Sequence, residues 1–247
     1  MSQDHPPVAL ITGAAQRIGA TIARHLHQRG LAIALHYHRS QAPAAALKEE
    51  LEQARPDSVQ LIQADLNESR QLARIIQQVE QWRGRLDLLV NNASSFYPTP
   101  LSQLTGEQWD DLMGTNLKAP FFLAIEAAPL LRASRGAIIN LVDIHAERPL
   151  KNHPVYSMAK AGNAMMVKSL ARELGPEIRV NGVAPGAILW PEQAMSDPVK
   201  QEILARTALE RTGTPADIAG AVCFLALEAP YVTGQILAVD GGRTVQQ

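Results

Sequence analysis

Val8-Ala9-Leu10-Ile11-Thr12-Gly13-Ala14-Ala15-Gln16-Arg17-Ile18-Gly19 is a short apolar run that breaks at a glycine turn and passes into an apolar-periodic helix reaching Arg29. The first four residues suit a buried strand. Gly13 permits a tight turn out of that strand, and Gly19 lets the helix pack close to it. A helix that starts here offers unpaired N–H groups and a partial positive charge, the chemistry that holds a pyrophosphate. The glycines are six apart rather than in the GxGxxG spacing, and Arg17 stands where a further glycine often does. Taken alone, the loop could equally be a plain strand-to-helix turn.

Working outward, further strands read at Leu31 to Tyr37, Val59 to Gln63, Leu86 to Val90, Ala137 to Val142, Arg179 to Val183 and Ile236 to Val239. Helical patterns separate them at Ala42–Ala54, Ser69–Trp82, Gln108–Arg132, Tyr156–Leu174 and Pro215–Leu227. Nearly all-apolar strands alternating with helices predict an α/β fold. The expected form is one Rossmann-like, doubly wound parallel sheet of about seven strands with helices on both faces. Ligand then belongs at the carboxyl ends of the strands. Residues 1–247 read as a single domain, with a substrate-covering segment expected near 185–207, where periodicity is lost after Pro185.

The second strand ends in His36-Tyr37-His38-Arg39-Ser40. An acidic residue there would accept hydrogen bonds from a ribose 2′-OH. The guanidinium, hydroxyl and imidazole found instead suit a 2′-phosphate, so the reading favours NADPH.

Composition bounds the rest. The chain has 247 residues, 46% hydrophobic and 19% charged, with a formal net charge of -1. Without a basic stripe, nucleic acid is not an expected partner. No apolar run is long enough to span a membrane, and residues 1–7 carry no apolar leader core. The lone Cys223 lies in an apolar helical stretch, reads as core, and fits a reducing, cytoplasmic compartment. No metal cluster is expected.

Tyr156 and Lys160 stand four apart on one predicted helix face, with Asp143 thirteen residues before the tyrosine. A nearby cation would favour the phenolate and bring the tyrosine toward general-acid chemistry.

Thr12-Gly13…Gly19, Asp65-Leu66, Asn91-Asn92-Ala93, Asn116, Tyr156…Lys160, Arg179-Val180-Asn181, Pro185-Gly186 and Asp240-Gly241-Gly242 together resemble the short-chain dehydrogenase/reductase superfamily over essentially the whole chain. Asp143 occupies the position where that superfamily usually carries serine. That departure, with Arg17, His38-Arg39-Ser40 and Asn92-Ala93-Ser94-Ser95-Phe96-Tyr97-Pro98, resembles the pteridine reductase branch.

The resemblance implies roles for individual residues. Asp143, Tyr156, Lys160 and Asn116 would be catalytic, with Asn116 binding a water or backbone group that orients Lys160. Gly13, Arg17, Ile18, Gly19, His38, Arg39 and Ser40 would hold the phosphate-bearing part of NADPH, and Asp65 and Leu66 would flank the adenine. Asn92, Ala93, Ser94, Tyr156, Lys160, Pro185 and Gly186 would line the rest of the dinucleotide. Arg17, Ser94, Phe96, Asp143 and Tyr156 would meet the substrate. Phe96 would stack on a pterin and sandwich it against the nicotinamide. The tail of that pterin would lie near Trp190 to Met195. A homotetramer is implied as well.

A pterin is reduced at C=N, so its nitrogen must gain a proton, which a carboxyl at Asp143 can relay alone or through Tyr156 and water. The alternative role for Asp143 is a cap within its own loop. Two other readings compete. One is a 3-oxoacyl carrier-protein or general carbonyl reductase, for which serine would be the expected residue at position 143. The other is a non-catalytic dinucleotide-binding scaffold, which would not need Tyr156, Lys160 and Asn116 intact.

Overall fold

The computed structural model describes residues 6–189 and 196–245. Seven strands form one parallel sheet, β1 Val8–Ile11, β2 Ala32–Tyr37, β3 Val59–Gln63, β4 Leu88–Asn91, β5 Ala137–Leu141, β6 Arg179–Pro185 and β7 Ile236–Val239, in the order β3-β2-β1-β4-β5-β6-β7. Side chains along β1 alternate between two cores. Ala9 and Ile11 join one, while Val8 and Leu10 join the other, as the two-residue period of a strand requires. The first core is closed by α1 Arg17–Gln28, α2 Gln41–Ala54 and α8 Pro215–Cys223, and the second by α3 Ser69–Arg83, α5 Ala119–Ser134 and α6 Pro154–Leu174. The doubly wound arrangement read from the sequence is therefore present, and residues 8–239 make one continuous sheet.

The helix read as Gln108–Arg132 is divided. It consists of α4 Gly106–Met113, a π-helical turn Gly114–Lys118 and α5. Pattern alone misses the turn, because one added residue shifts the apolar face without ending the helix. Pro215–Leu227 likewise ends in a π-helical turn, Phe224–Glu228. One helix went unread, α7 Asp197–Ala205. It buries none of its residues, so it has no apolar stripe to betray it. It falls within the segment expected near 185–207, while the expected tail-binding stretch Trp190 to Met195 lies outside the described residues.

The parallel order reverses between β1 and β4, and the cleft opens there, at the strands' carboxyl ends. Gly19 is required at its edge: a Cβ on it would lie 2.4 Å from the Gly13 carbonyl and 2.6 Å from Nδ2 of Asn92. Gly13 has φ 60° and backs onto Ala93, so its turn needs both the freedom and the smallness of glycine. Arg17 also has a positive φ, 53°, which explains why a glycine is common at such a position. The left-handed conformation costs an L-residue roughly 1–2 kcal/mol.

Candidate active site

A cleft of about 650 Å³ runs along the carboxyl ends of β1 and β2. Gly13, Arg17, Ile18, Gly19, His38, Arg39, Ser40, Asp65, Leu66, Asn92, Ala93 and Ser94 all line it. A second cavity of about 260 Å³ holds Phe96, Asp143, Tyr156, Lys160, Pro185 and Gly186. Arg17, Ile18, Asn92 and Ser94 line both, which makes the two compartments one contiguous groove. Every site residue read from the sequence except Asn116 lines this groove.

The floor is held by side chains acting on backbone. Thr12 accepts the N–H groups of Asn92 and Ala93 through Oγ1, each at 3.0 Å. Asn92 in turn donates from Nδ2 to the carbonyls of Thr12 and Gly13 at 2.8 and 3.0 Å. At the start of α1, Gln16 provides no side-chain cap and the first turn contains no acidic residue. That leaves a positive helix end facing the long compartment. At the far end of this compartment Arg39, His38 and Ser40 face an opening that also contains Asp65, whose carboxylate lies 3.6 Å from Nε2 of His38. An uncapped helix start beside a guanidinium and a hydroxyl fits the phosphates of a dinucleotide.

In the smaller compartment the Tyr156 hydroxyl donates to Oδ2 of Asp143 at 2.7 Å. The other carboxylate oxygen, Oδ1, accepts the N–H of His145 at 2.8 Å and caps the short 3-10 turn Ile144–Ala146. The capping role weighed for Asp143 is thus filled by Oδ1, while Oδ2 meets Tyr156.

Lys160 is buried, and its ammonium donates to the Leu141 carbonyl at 2.8 Å, 5.7 Å from the centre of the Tyr156 ring. Burial lowers its pKa to about 8, against the opposing pull of Asp143. The expectation that a cation would lower the tyrosine pKa is corrected here. Burial first, and then the charge and hydrogen bond of Asp143, push Tyr156 well above its ordinary value, with only the Ser94 hydrogen bond acting downward. The carboxylate bonds the hydroxyl directly, whereas the ammonium donates to the Leu141 carbonyl.

Asn116, read as binding a water or backbone group that orients Lys160, binds backbone carbonyls of the groove wall. It sits in the π-helical turn, donates from Nδ2 to the carbonyls of Ser95 and Leu112, and accepts the Ser94 hydroxyl on Oδ1 at 2.7 Å. Its own carbonyl receives Nδ2 of Asn163 at 2.8 Å. Asn163 accepts from Asn140, which accepts from Asn91, each at 2.9 Å. All of these amides are buried. The chain runs from β4 through β5 and α6 into the groove wall. Sequence reading missed Asn163 and Asn140; an asparagine in an otherwise apolar strand, as at Asn140, was the available signal.

Phe96 is 49% exposed, meets Tyr156 edge-on at 4.8 Å between ring centres, and stacks on His153 at 4.7 Å with the planes 10° apart. His153, which the sequence reading passed over, does not line the cavity and backs the ring instead. Tyr97 donates to Asp111 at 2.9 Å, and burial, followed by that hydrogen bond, pushes its pKa up to about 12. Among the described residues no group of His, Cys, Asp and Glu could hold a metal ion, and no helix is long and apolar enough to cross a membrane.

A family model described as enoyl-(acyl carrier protein) reductase matches residues 13–244. The chain belongs to the short-chain dehydrogenase/reductase family. Members of this family are oxidoreductases that use a nicotinamide cofactor, and so this chain is an NAD(P)-dependent reductase. The chain is 37% identical to pteridine reductase 1 of Leishmania tarentolae over 97% of its own length and 96% of that protein's. It is 39% identical to a 3-oxoacyl-acyl-carrier-protein reductase of Staphylococcus aureus, with 95% and 96% covered, and 38% identical to that of Staphylococcus epidermidis, with 95% and 97% covered. These likenesses are equal in strength and divide between two substrate classes.

Proposed function

We propose that this short-chain dehydrogenase/reductase is an NADPH-dependent pterin reductase, converting a dihydropterin or dihydrofolate to its tetrahydro form. The observation that carries the proposal is the 2.7 Å hydrogen bond between the Tyr156 hydroxyl and Asp143. A carbonyl reductase needs a neutral donor there to polarise C=O, whereas a C=N bond needs a proton delivered to nitrogen. Phe96, with half its surface open beside Tyr156, supports a flat aromatic substrate.

The cofactor supplies hydride to the ring carbon when bound. The chain's own residues deal with the proton and the geometry. The tyrosine hydrogen is directed at Asp143, so Tyr156 and Asp143 act as one relay whose outer end meets the substrate nitrogen. Lys160 places a positive charge behind the relay and offsets the carboxylate. Phe96, backed by His153, forms a flat wall. Arg39, His38 and Ser40 would take the 2′-phosphate, and the segment near 185–207 would cover the site.

A homotetramer in the cytoplasm is part of the proposal. Phe121, Phe122 and Ile125 on α5, Met158 and Met165 on α6, and Phe224, Leu227, Tyr231 and Leu237 near the carboxyl end of the chain are exposed apolar side chains that subunit contacts would cover.

The second reading, 3-oxoacyl-carrier-protein reduction, is favoured by the Staphylococcus relatives. NADPH oxidation should be followed with dihydrobiopterin, dihydrofolate and an acetoacetyl thioester. The proposal expects turnover with one or both pterins and little with the thioester; the reverse order establishes the second reading.

A further inference from the structure

Gly13 and Ala14 begin the phosphate loop, yet both N–H groups are bound by His36. Gly13 N–H donates to Nδ1 of the imidazole at 3.2 Å, and Ala14 N–H donates to the His36 carbonyl at 2.9 Å. The ring is 1% exposed, and its Nε2 lies 3.2 Å from the carbonyl of Ala64. A carbonyl can only accept, so Nε2 carries the hydrogen and Nδ1 is the bare nitrogen that receives Gly13. One tautomer alone satisfies both contacts. A second ring proton would set N–H against N–H at the loop. His36 thereby ties the loop after β1 to β2 and to the residue that follows β3.

We propose that His36 is a positioning residue of the cofactor loop, turning the first two N–H groups inward so that anion binding falls to the uncapped start of α1. The inference rests on the dinucleotide reading of the cleft, and it separates two neighbouring imidazoles by role. His38 stands at the open edge of the cleft, and His36, which borders the same cleft but is buried, acts on the loop. The titratable groups acting on the His36 ring are His38, on the same strand's end, and Asp65, after β3.

NADP+ binding to the full-length protein and to three variants tests this. In His36→Asn the amide oxygen stands near the position of Nδ1 and can still accept from Gly13. In His36→Gln the amide reaches the Nε2 position instead, and His36→Leu removes both contacts. His36→Asn should bind within about threefold of the unmodified protein, and His36→Gln and His36→Leu about five- to tenfold more weakly or worse, the size of one lost hydrogen bond. Circular dichroism establishes that each variant is folded. If His36→Leu does not fold, the Asn and Gln variants still decide. Equal weakening by Asn and Gln, or a folded Leu variant with unchanged affinity, overturns the proposal. An unmodified protein that binds neither NADP+ nor NAD+ overturns the dinucleotide reading itself, and this inference with it.

Discussion

In the proposed reaction Asp143 carries the proton relay. Its two oxygens do separate work, one capping the turn that begins at Ile144 and the other receiving Tyr156. Asp143→Asn keeps the shape and removes the proton-carrying group, so pterin turnover should fall by about 10²-fold or more, the scale of general acid–base catalysis. NADP+ affinity should be unchanged, as a binding titration will read. Phe96→Ala removes the open aromatic wall. The Michaelis constant for dihydropterin should rise about five- to a hundredfold, corresponding to roughly 1–3 kcal/mol of stacking, while NADP+ binding alone barely moves. Equal loss of cofactor affinity would show that Phe96 is simply core.

Tyr156 and Lys160 were legible as a pair from spacing on a helix, and Asp143 was set beside them by the family resemblance. Their electrostatics were not legible, because the carboxylate bonds the phenol directly while the ammonium donates to the Leu141 carbonyl, a fact of tertiary placement.

At the scale of elements, the buried amides decide how firmly the helix around Asn116 is held to the sheet. Asn163→Leu strands the Asn116 carbonyl and an Asn140 amide hydrogen in the interior. At about 1–3 kcal/mol for each unpaired group, the stability measured by urea unfolding should drop by roughly 2–6 kcal/mol. No such loss would show that solvent reaches the chain.

His36 joins the loop, β2 and the end of β3, and burial lowers its pKa from 6.5 to about 4. The folded state therefore resists a proton that the unfolded chain accepts. Its contribution is complete above the unfolded value and is lost as pH falls from about 6.5 toward 4, up to about 3 kcal/mol. Melting temperature should decline over that window in the unmodified protein and decline less in His36→Asn. The strands were readable because burial on both faces leaves them almost wholly apolar. The π-helical turn and α7 were not, since one keeps helical composition and the other buries nothing.

Across the whole molecule, the reversal of strand order between β1 and β4 gathers residues from 13 to 186 into one groove. That gathering was predictable from an alternating strand–helix pattern, and so was the place of Arg39 at the end of β2, where it lines the cleft. Arg39→Ala should weaken NADP+ by about 1.5–3 kcal/mol through a lost charge-assisted contact, with NAD+ little affected. Equal losses for both would place the guanidinium elsewhere. Substrate class is the part that neither overall likeness nor fold supplies, because relatives of equal similarity carry different names.

The most direct measurement of the central claim is the turnover of Asp143→Ser with both substrate types, set beside the unmodified protein. Serine restores the neutral donor of a carbonyl reductase and removes the carboxyl from the relay with Tyr156. The variant should lose most dihydropterin reduction while staying folded and binding NADPH, and any activity on an acetoacetyl thioester should hold or rise. Dihydropterin reduction at the original rate in Asp143→Ser would contradict the account.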